Sequence, residues 1–254
     1  MSSVVGCGLQ GYQQLCGFNT LMYYSATLFA TIGFNQPIAV GLIISGTNFL
    51  FTLVALKYID IIGRRKILIY SAPGMVIGLV LASISFHCKC RYILARRDTI
   101  SQTLRPDLTR KTDGDLIEGT EYPASWSAIV LVSMIIYVAS YATGLGNIPW
   151  QQGELFSLEV RGIGSSLCTT TNWAANLLIG ATYLSLMDRI TPAGAFGFYA
   201  GLCLLGWIFC LFCFPETAGL TLEEVQLVFE QGFGFSEMKT TQKRREEQSG
   251  IANA

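Results

Sequence analysis

Gln13-Gln14-Leu15-Cys16-Gly17-Phe18-Asn19, followed by Tyr23-Tyr24, lies inside one long apolar stretch of this 254-residue chain. Each unmet hydrogen-bonding group in hydrocarbon costs several kcal/mol. The three amides are therefore stable where they line a protected polar cavity, or where they bond neighbouring helices to one another. The expense of polar groups in lipid favours the cavity. Amides both donate and accept hydrogen bonds, and ring faces cover C–H surfaces, so such a cavity suits a neutral, hydroxyl-rich solute. On a straight helix Gln13 and Asn19 point about 120° apart. Both face one cavity only if the helix breaks between them, and Gly17 is placed for that break. Gly17, with Tyr23 and Tyr24 beyond it, is expected to form a gate.

The surroundings are those of an all-α polytopic membrane protein. The chain is 51% hydrophobic and 13% charged, against about 25% charged in soluble domains, and its mean hydropathy is +0.45. Nearly all of the charges fall in clusters at 57–66, 89–121, 154–161 and 215–247. Helices are expected at about 4–31, 38–59, 67–88, 125–149, 163–187 and 193–214, each long enough to cross the bilayer. They form a membrane unit over 1–214, with a polar outer loop at 89–124. Residues 215–254 form a tail whose Leu222, Val225, Val228 and Phe229 predict a short amphipathic helix. Lys57, Arg64, Arg65, Lys66, Arg161 and the tail cations lie on the side of the C-terminus, which the positive-inside rule makes cytoplasmic. The basic residues of 89–124 oppose that rule, but long loops obey it less strictly. Cys88 to Lys111 differs in composition from the rest and reads as a disordered loop in preference to a translated intron. Met1 to Gly6 lacks the basic start of a signal peptide.

Balanced charge, 17 basic against 17 acidic residues, argues against a nucleic-acid partner. Cys7, Cys16, Cys168, Cys203, Cys210 and Cys213 fall in apolar spans, where Cys acts as a small hydrophobe. Cys88 and Cys90 have one nearby His, His87, so no metal site is expected.

Three more polar groups mark the spans. Asn48 stands with Ser45 and Thr47 in the second and is assigned to the cavity. The fourth carries Gly144-Leu-Gly146-Asn-Ile-Pro149-Trp150, whose glycines and proline prevent a regular helix and suit a gate; Trp150 is a cavity floor or an interfacial anchor. Gly144-x-Gly146 follows no strand and is not a phosphate loop. In the fifth, Asn172, beside Trp173, shares a face with Asn176 one turn on. Asp60, Arg64, Arg65, Glu154 and Arg161 sit at helix ends, as surface charge or as ion pairs that close one side of the bundle. No Asp, Glu, Lys or Arg falls mid-span, where proton coupling usually needs one.

Gln13-Gln-x-x-Gly-x-Asn19 with Tyr23-Tyr24, Asp60-x-x-Gly-Arg-Arg65, Pro149-Trp150, Glu154-Leu-Phe, Val160-Arg-Gly162, Asn172-Trp173 and Pro215-Glu216-Thr217 together resemble the C-terminal half of a sugar porter of the major facilitator superfamily. The likeness covers about residues 6–230 outside the 89–120 region. Tyr141 to Phe156 and Ile190 to Phe196 look most like the fungal myo-inositol transporters.

The resemblance implies spans seven to twelve of a twelve-span carrier in the plasma membrane, built of two three-helix repeats, with the six-helix N-terminal half absent. It implies alternating-access uptake of myo-inositol with protons as the coupling ion, no cofactor and no enzymatic chemistry. It also implies solute contact by Gln13, Gln14, Asn19, Asn48 and Trp150, with Asn172 and Trp173 bordering the pocket. Asp60, Arg64, Arg65, Glu154, Arg161 and Glu216 would form the cytoplasmic charge network. Trp150 stands one residue nearer Glu154 than in the common pattern, and Ala218 stands where Lys is usual. In the family the proton-linked carboxylate lies in the other half. A hexose carrier, a transporter-like nutrient sensor and a non-transporting fragment are the alternatives.

Overall fold

The computed structural model describes residues 1–31, 36–101, 124–217 and 225, with no strand among them. Its helices are α1 (Ser2–Leu15), α2 (Phe18–Thr31), α3 (Pro37–Ile62), α4 (Arg64–Ser101), α5 (Ala124–Thr143) and α6 (Arg161–Cys213), with a 3-10 helix at Ile148–Leu155. Pro37 opens α3, where a missing N–H costs nothing. Gly63, at φ 101°, turns the chain directly into α4. α6 has two arms that meet at Thr191, whose φ of 64° precedes Pro192. Thr191 is the non-glycine residue at positive φ among those described, and Ser83 Oγ from α4 secures the bend by donating to the Ala193 carbonyl at 2.7 Å.

Among the described residues, four stretches are long and apolar enough to cross a membrane: Pro37–Ile62, Arg64–Cys88, Trp126–Leu155 and Arg189–Cys213. The first expected span is cut into two helices of 14 residues each. The first arm of α6 has its hydropathy lowered by Thr169, Thr170, Thr171, Asn172 and Asn176.

The region 89–124, expected as a polar loop, begins as helix: α4 runs on from Lys89 to Ser101. No Gly or Pro stands between Gly78 and Pro106, so nothing in the backbone stops the helix where polarity begins. Residues 102–123 and the expected tail helix lie outside the described residues, apart from Val225, which is buried.

α1 packs against both arms of α6. Cys7 and Gln14 meet the first arm of α6, and Tyr12 donates to the Cys203 carbonyl of the second arm at 3.1 Å. α4 packs between α5 and the second arm, so closely that a Cβ on Gly78 would lie 2.8 Å from the Ser133 carbonyl. α3 leans on α5 and α2.

α1 and α2 part at Gly17, φ +85°. The Cys16 carbonyl freed there accepts from Tyr137 Oη of α5 at 2.9 Å. A Cβ on Gly17 would lie 2.7 Å from the Tyr199 ring. Gly17→Ala is therefore expected to lose roughly 1–3 kcal/mol of stability, read as a fall in melting temperature in detergent. An unchanged melting temperature would show that the chain does not turn at this residue.

Candidate solute site

The broken fourth span explains the glutamines of α1. Pro149 has no N–H to offer the Leu145 carbonyl, and Trp150 N bonds Asn147 O instead of Gly146 O. Gln13 Nε2 reaches both freed carbonyls, Leu145 O and Gly146 O, at 3.1 Å each. One turn earlier, Gln10 Nε2 donates to Pro149 O at 2.9 Å and to Gln152 Oε1 at 2.8 Å. Gln152 Nε2 donates in turn to Ser165 O at 3.3 Å and Thr169 Oγ1 at 3.0 Å on α6.

Asn172 ties this group to α6. Its Nδ2 donates to Gln10 Oε1 at 2.6 Å and Gln13 Oε1 at 2.8 Å, and its Oδ1 accepts from Gln14 Nε2 at 3.1 Å. Gln14 Oε1 then accepts from Asn19 Nδ2 at 2.7 Å and Asn176 Nδ2 at 2.9 Å. Gln10, Gln13, Gln14 and Asn172 are buried, whereas Asn19 and Asn176 are half-buried. The two readings of these amides thus divide by depth. The inner ones bond helices together, and the outer ones form an open polar edge. Phe18 stacks on Tyr141 beside them, ring centres 3.7 Å apart.

The other expected contacts are dispersed. Asn48 is half-buried on α3. Trp150 and Trp173, 52% and 57% exposed, lie on the surface rather than among the amides. Among the described residues, neither ring makes a hydrogen bond or aromatic contact that would tie it to the cluster. Tyr23 is exposed, while Tyr24 stacks on Tyr183 at 5.2 Å. A Cβ on Gly144 would collide with Ser71 of α4, and one on Gly146 would lie 3.2 Å from Tyr141. Gln10 and Gln152 were absent from the expected set, although Gln10 precedes Gln13 by three residues and so shares its face. Asn176 was visible as a polar neighbour of Asn172 but was not given a contact role.

A second cluster lies where α3 ends and α4 begins. Arg64 Nη2 bridges Asp60 at 3.1 Å and Glu154 at 3.3 Å, and Arg64 Nε donates to Gln151 Oε1 at 3.1 Å. Glu216 caps α4, accepting from the backbone N–H of Arg65 and of Lys66 at 3.3 Å each. Arg65 Nη2 holds the Leu211 carbonyl at 2.8 Å. Arg161 is not drawn in: its Nε and Nη2 are buried without a partner among the described residues. A small cleft lined by Leu9, Arg64, Pro149, Gln152 and Glu154 lies between the two clusters.

The model of the sugar (and other) transporter family matches residues 2–229. The chain belongs to that family. It is 56% identical, over 95% of its length, to Myo-inositol transporter 1 of Cryptococcus neoformans var. grubii, of which it covers 39%. It is 46% identical, over 96% of its length, to Myo-inositol transporter 1 of Saccharomyces cerevisiae, again covering 39% of that protein. The fold matches the proton:xylose symporter XylE bound to 6-bromo-6-deoxy-D-glucose, with TM-score 0.69, 24% identity, and coverage of 89% of this chain and 42% of that one. It also matches the inward-open xylose transporter XylE from E. coli, with TM-score 0.65, 25% identity and the same coverages. The chain thus has the all-α fold of a major facilitator sugar porter and spans about two fifths of the curated relatives it matches. The family is one of transporters, not of enzymes.

Asn172→Leu strands Gln10 Oε1, Gln13 Oε1 and Gln14 Nε2, at roughly 1–3 kcal/mol for each buried group left unpaired. Asn176→Leu removes one donor from the open edge and is expected to cost less than about 1 kcal/mol. Thermal unfolding of both variants checks this, and equal stability would show that the Asn172 bonds hold nothing together.

Proposed function

We propose that this chain is the C-terminal half of a membrane carrier for a neutral polyol, myo-inositol foremost, which works with an N-terminal six-helix half by alternating access. The observation that carries the reading is the amide cluster, whose outer members face the open side of a bundle 56% identical to a myo-inositol transporter. The solute would bind at this edge between the two halves, with Asn19, Asn176 and Asn48 as contacts from this side and Gln14 holding the two edge asparagines. Trp150 would close over it from the kinked fourth span. The bend at Gly17 and the turn at Gly144–Pro149 would serve as the moving joints. The Arg64 cluster would hold the cytoplasmic side shut in one state and open in the other. That reading puts the C-terminus in the cytoplasm and the carrier in the plasma membrane. Protons would couple through the other half, because the spans of this chain carry no mid-span acid.

Uptake of labelled myo-inositol by cells expressing the full-length carrier, with glucose as competitor, tests the substrate. Gln14→Ala is expected to raise KM by roughly tenfold, the loss of about one buried hydrogen bond. Unchanged KM, or uptake blocked equally well by glucose, would overturn the inositol assignment. Arg64→Ala separates gating from binding: the maximal rate should fall while KM changes little. A variant whose KM alone changed would show that Arg64 belongs to the solute site.

A further inference from the structure

The amide cluster has a direction, and the backbone imposes it. An amide's oxygen and nitrogen are alike in shape, so its orientation follows from the network around it. Here the network ends on groups that cannot be reversed. The carbonyls of Leu145, Gly146 and Pro149 only accept. Gln13 and Gln10 must therefore turn their NH2 groups toward them, as observed. The Ser165 carbonyl orients Gln152 in the same way, leaving Gln152 Oε1 as a second acceptor for Gln10. The Oε1 atoms of Gln10 and Gln13 then face Asn172, which must meet them with both of its N–H groups. Asn172 Oδ1 is left for Gln14 Nε2, and Gln14 Oε1 is left for the NH2 groups of Asn19 and Asn176.

At the end of this chain stand two carbonyl oxygens. No hydrogen bond reaches Oδ1 of Asn19 or of Asn176 among the described residues, and neither atom is among those sealed from solvent. Each residue keeps both lone pairs on that oxygen and one spare N–H, so the edge accepts more hydrogen bonds than it donates. Gln10 is fully buried, so it acts on the edge through its partners, Asn172, Gln152 and the Pro149 carbonyl.

We propose that the backbone carbonyls of the kinked fourth span fix the direction of the whole amide relay. Asn19 and Asn176 then select the solute by the hydroxyl protons it donates, and Gln10 and Gln13, both turned by those carbonyls, are the positioning residues that hold this direction. The proposal rests on the carrier reading and sharpens it. The preferred solute is one with several hydroxyl donors on one face, rather than one that offers ring or carbonyl oxygens as acceptors.

The test is displacement of labelled myo-inositol from the full-length carrier by monodeoxy inositols and by the matching monodeoxy-fluoro inositols. Fluorine restores size and weak acceptor character but carries no proton. At one ring position or more, removing the hydroxyl should weaken displacement by about tenfold or more, and fluorine should not restore it. Fluoro compounds that displace as well as myo-inositol at every position would overturn the proposal. A wild-type carrier that binds no myo-inositol would instead remove the reading beneath it.

Gln10→Met combined with Gln13→Met, measured alongside with its melting temperature, tests the positioning role. With the relay unanchored, the fluoro compounds should regain affinity relative to myo-inositol. A double variant that loses stability and maximal rate but keeps the wild-type discrimination would reduce both glutamines to structural residues. The analogue series on Asn19→Ala, a change at the half-buried edge, locates the discrimination even if the double variant does not fold: the fluoro penalty should shrink there, and a penalty equal to that of the wild type would overturn the assignment to this edge.

Discussion

The structure depends on a reciprocal debt between a broken helix and a set of buried amides. Pro149 and the tight turn behind it leave the carbonyls of Leu145 and Gly146 without helical partners, deep in an apolar bundle. Gln10, Gln13 and Gln14 bring amides into the same region. Either feature alone would be destabilising. Together they satisfy each other, and Asn172 settles the remainder. The kink can thus be sharp while the buried amides stay fixed, because each is the other's hydrogen-bond partner.

Much of this was legible in the sequence, for reasons that differ by element. The bend at Gly17 followed from the angular offset of Gln13 and Asn19, a consequence of helical periodicity that needs no tertiary information. The apolar spans followed from their lack of charge. The extension of α4 to Ser101 was missed because polarity was read as a loop, although the stretch lacks a helix breaker. The opposition of cavity and adhesive roles for the amides could not be resolved in one dimension: Gln14 bonds Asn172 on one side and the open-edge asparagines on the other. Gln10 escaped notice because its partners, Pro149 O and Gln152, lie far along the chain. That Arg161 Nε and Nη2 find no partner among the described residues was beyond reach for the same reason, since charge type alone does not say which acid comes near.

The Arg64 cluster follows a similar logic at the bundle's end. Gly63 lets α3 pass into α4 without a loop, which leaves the first N–H groups of α4 exposed. Glu216, brought back by the end of α6, supplies the missing acceptors, and a Cβ on Gly63 would lie 2.6 Å from its carboxylate. Gln151 and Gln152 are adjacent residues that face opposite clusters, Arg64 for one and Gln10 for the other. A shift of the 3-10 helix would therefore strain both clusters at once. This gives a physical link between the amide cluster and the ion pairs without any group in between having to change its chemistry.

Exposure completes the argument. Only 17% of the best apolar window of α3 is buried, and Ile38, Leu42, Phe49, Leu50 and Ile61 are exposed along it. Lipid can cover those side chains, because it is as apolar as they are. Lipid cannot cover the oxygens of Asn19 and Asn176, nor the half-buried Asn48, without a desolvation penalty. A bundle whose outer apolar faces suit a bilayer but whose polar edge does not requires something hydrogen-bonding on that edge. Within a membrane the available occupants are water, a hydroxylated solute, or the wall of a second bundle. An aqueous chamber between two such bundles provides all three.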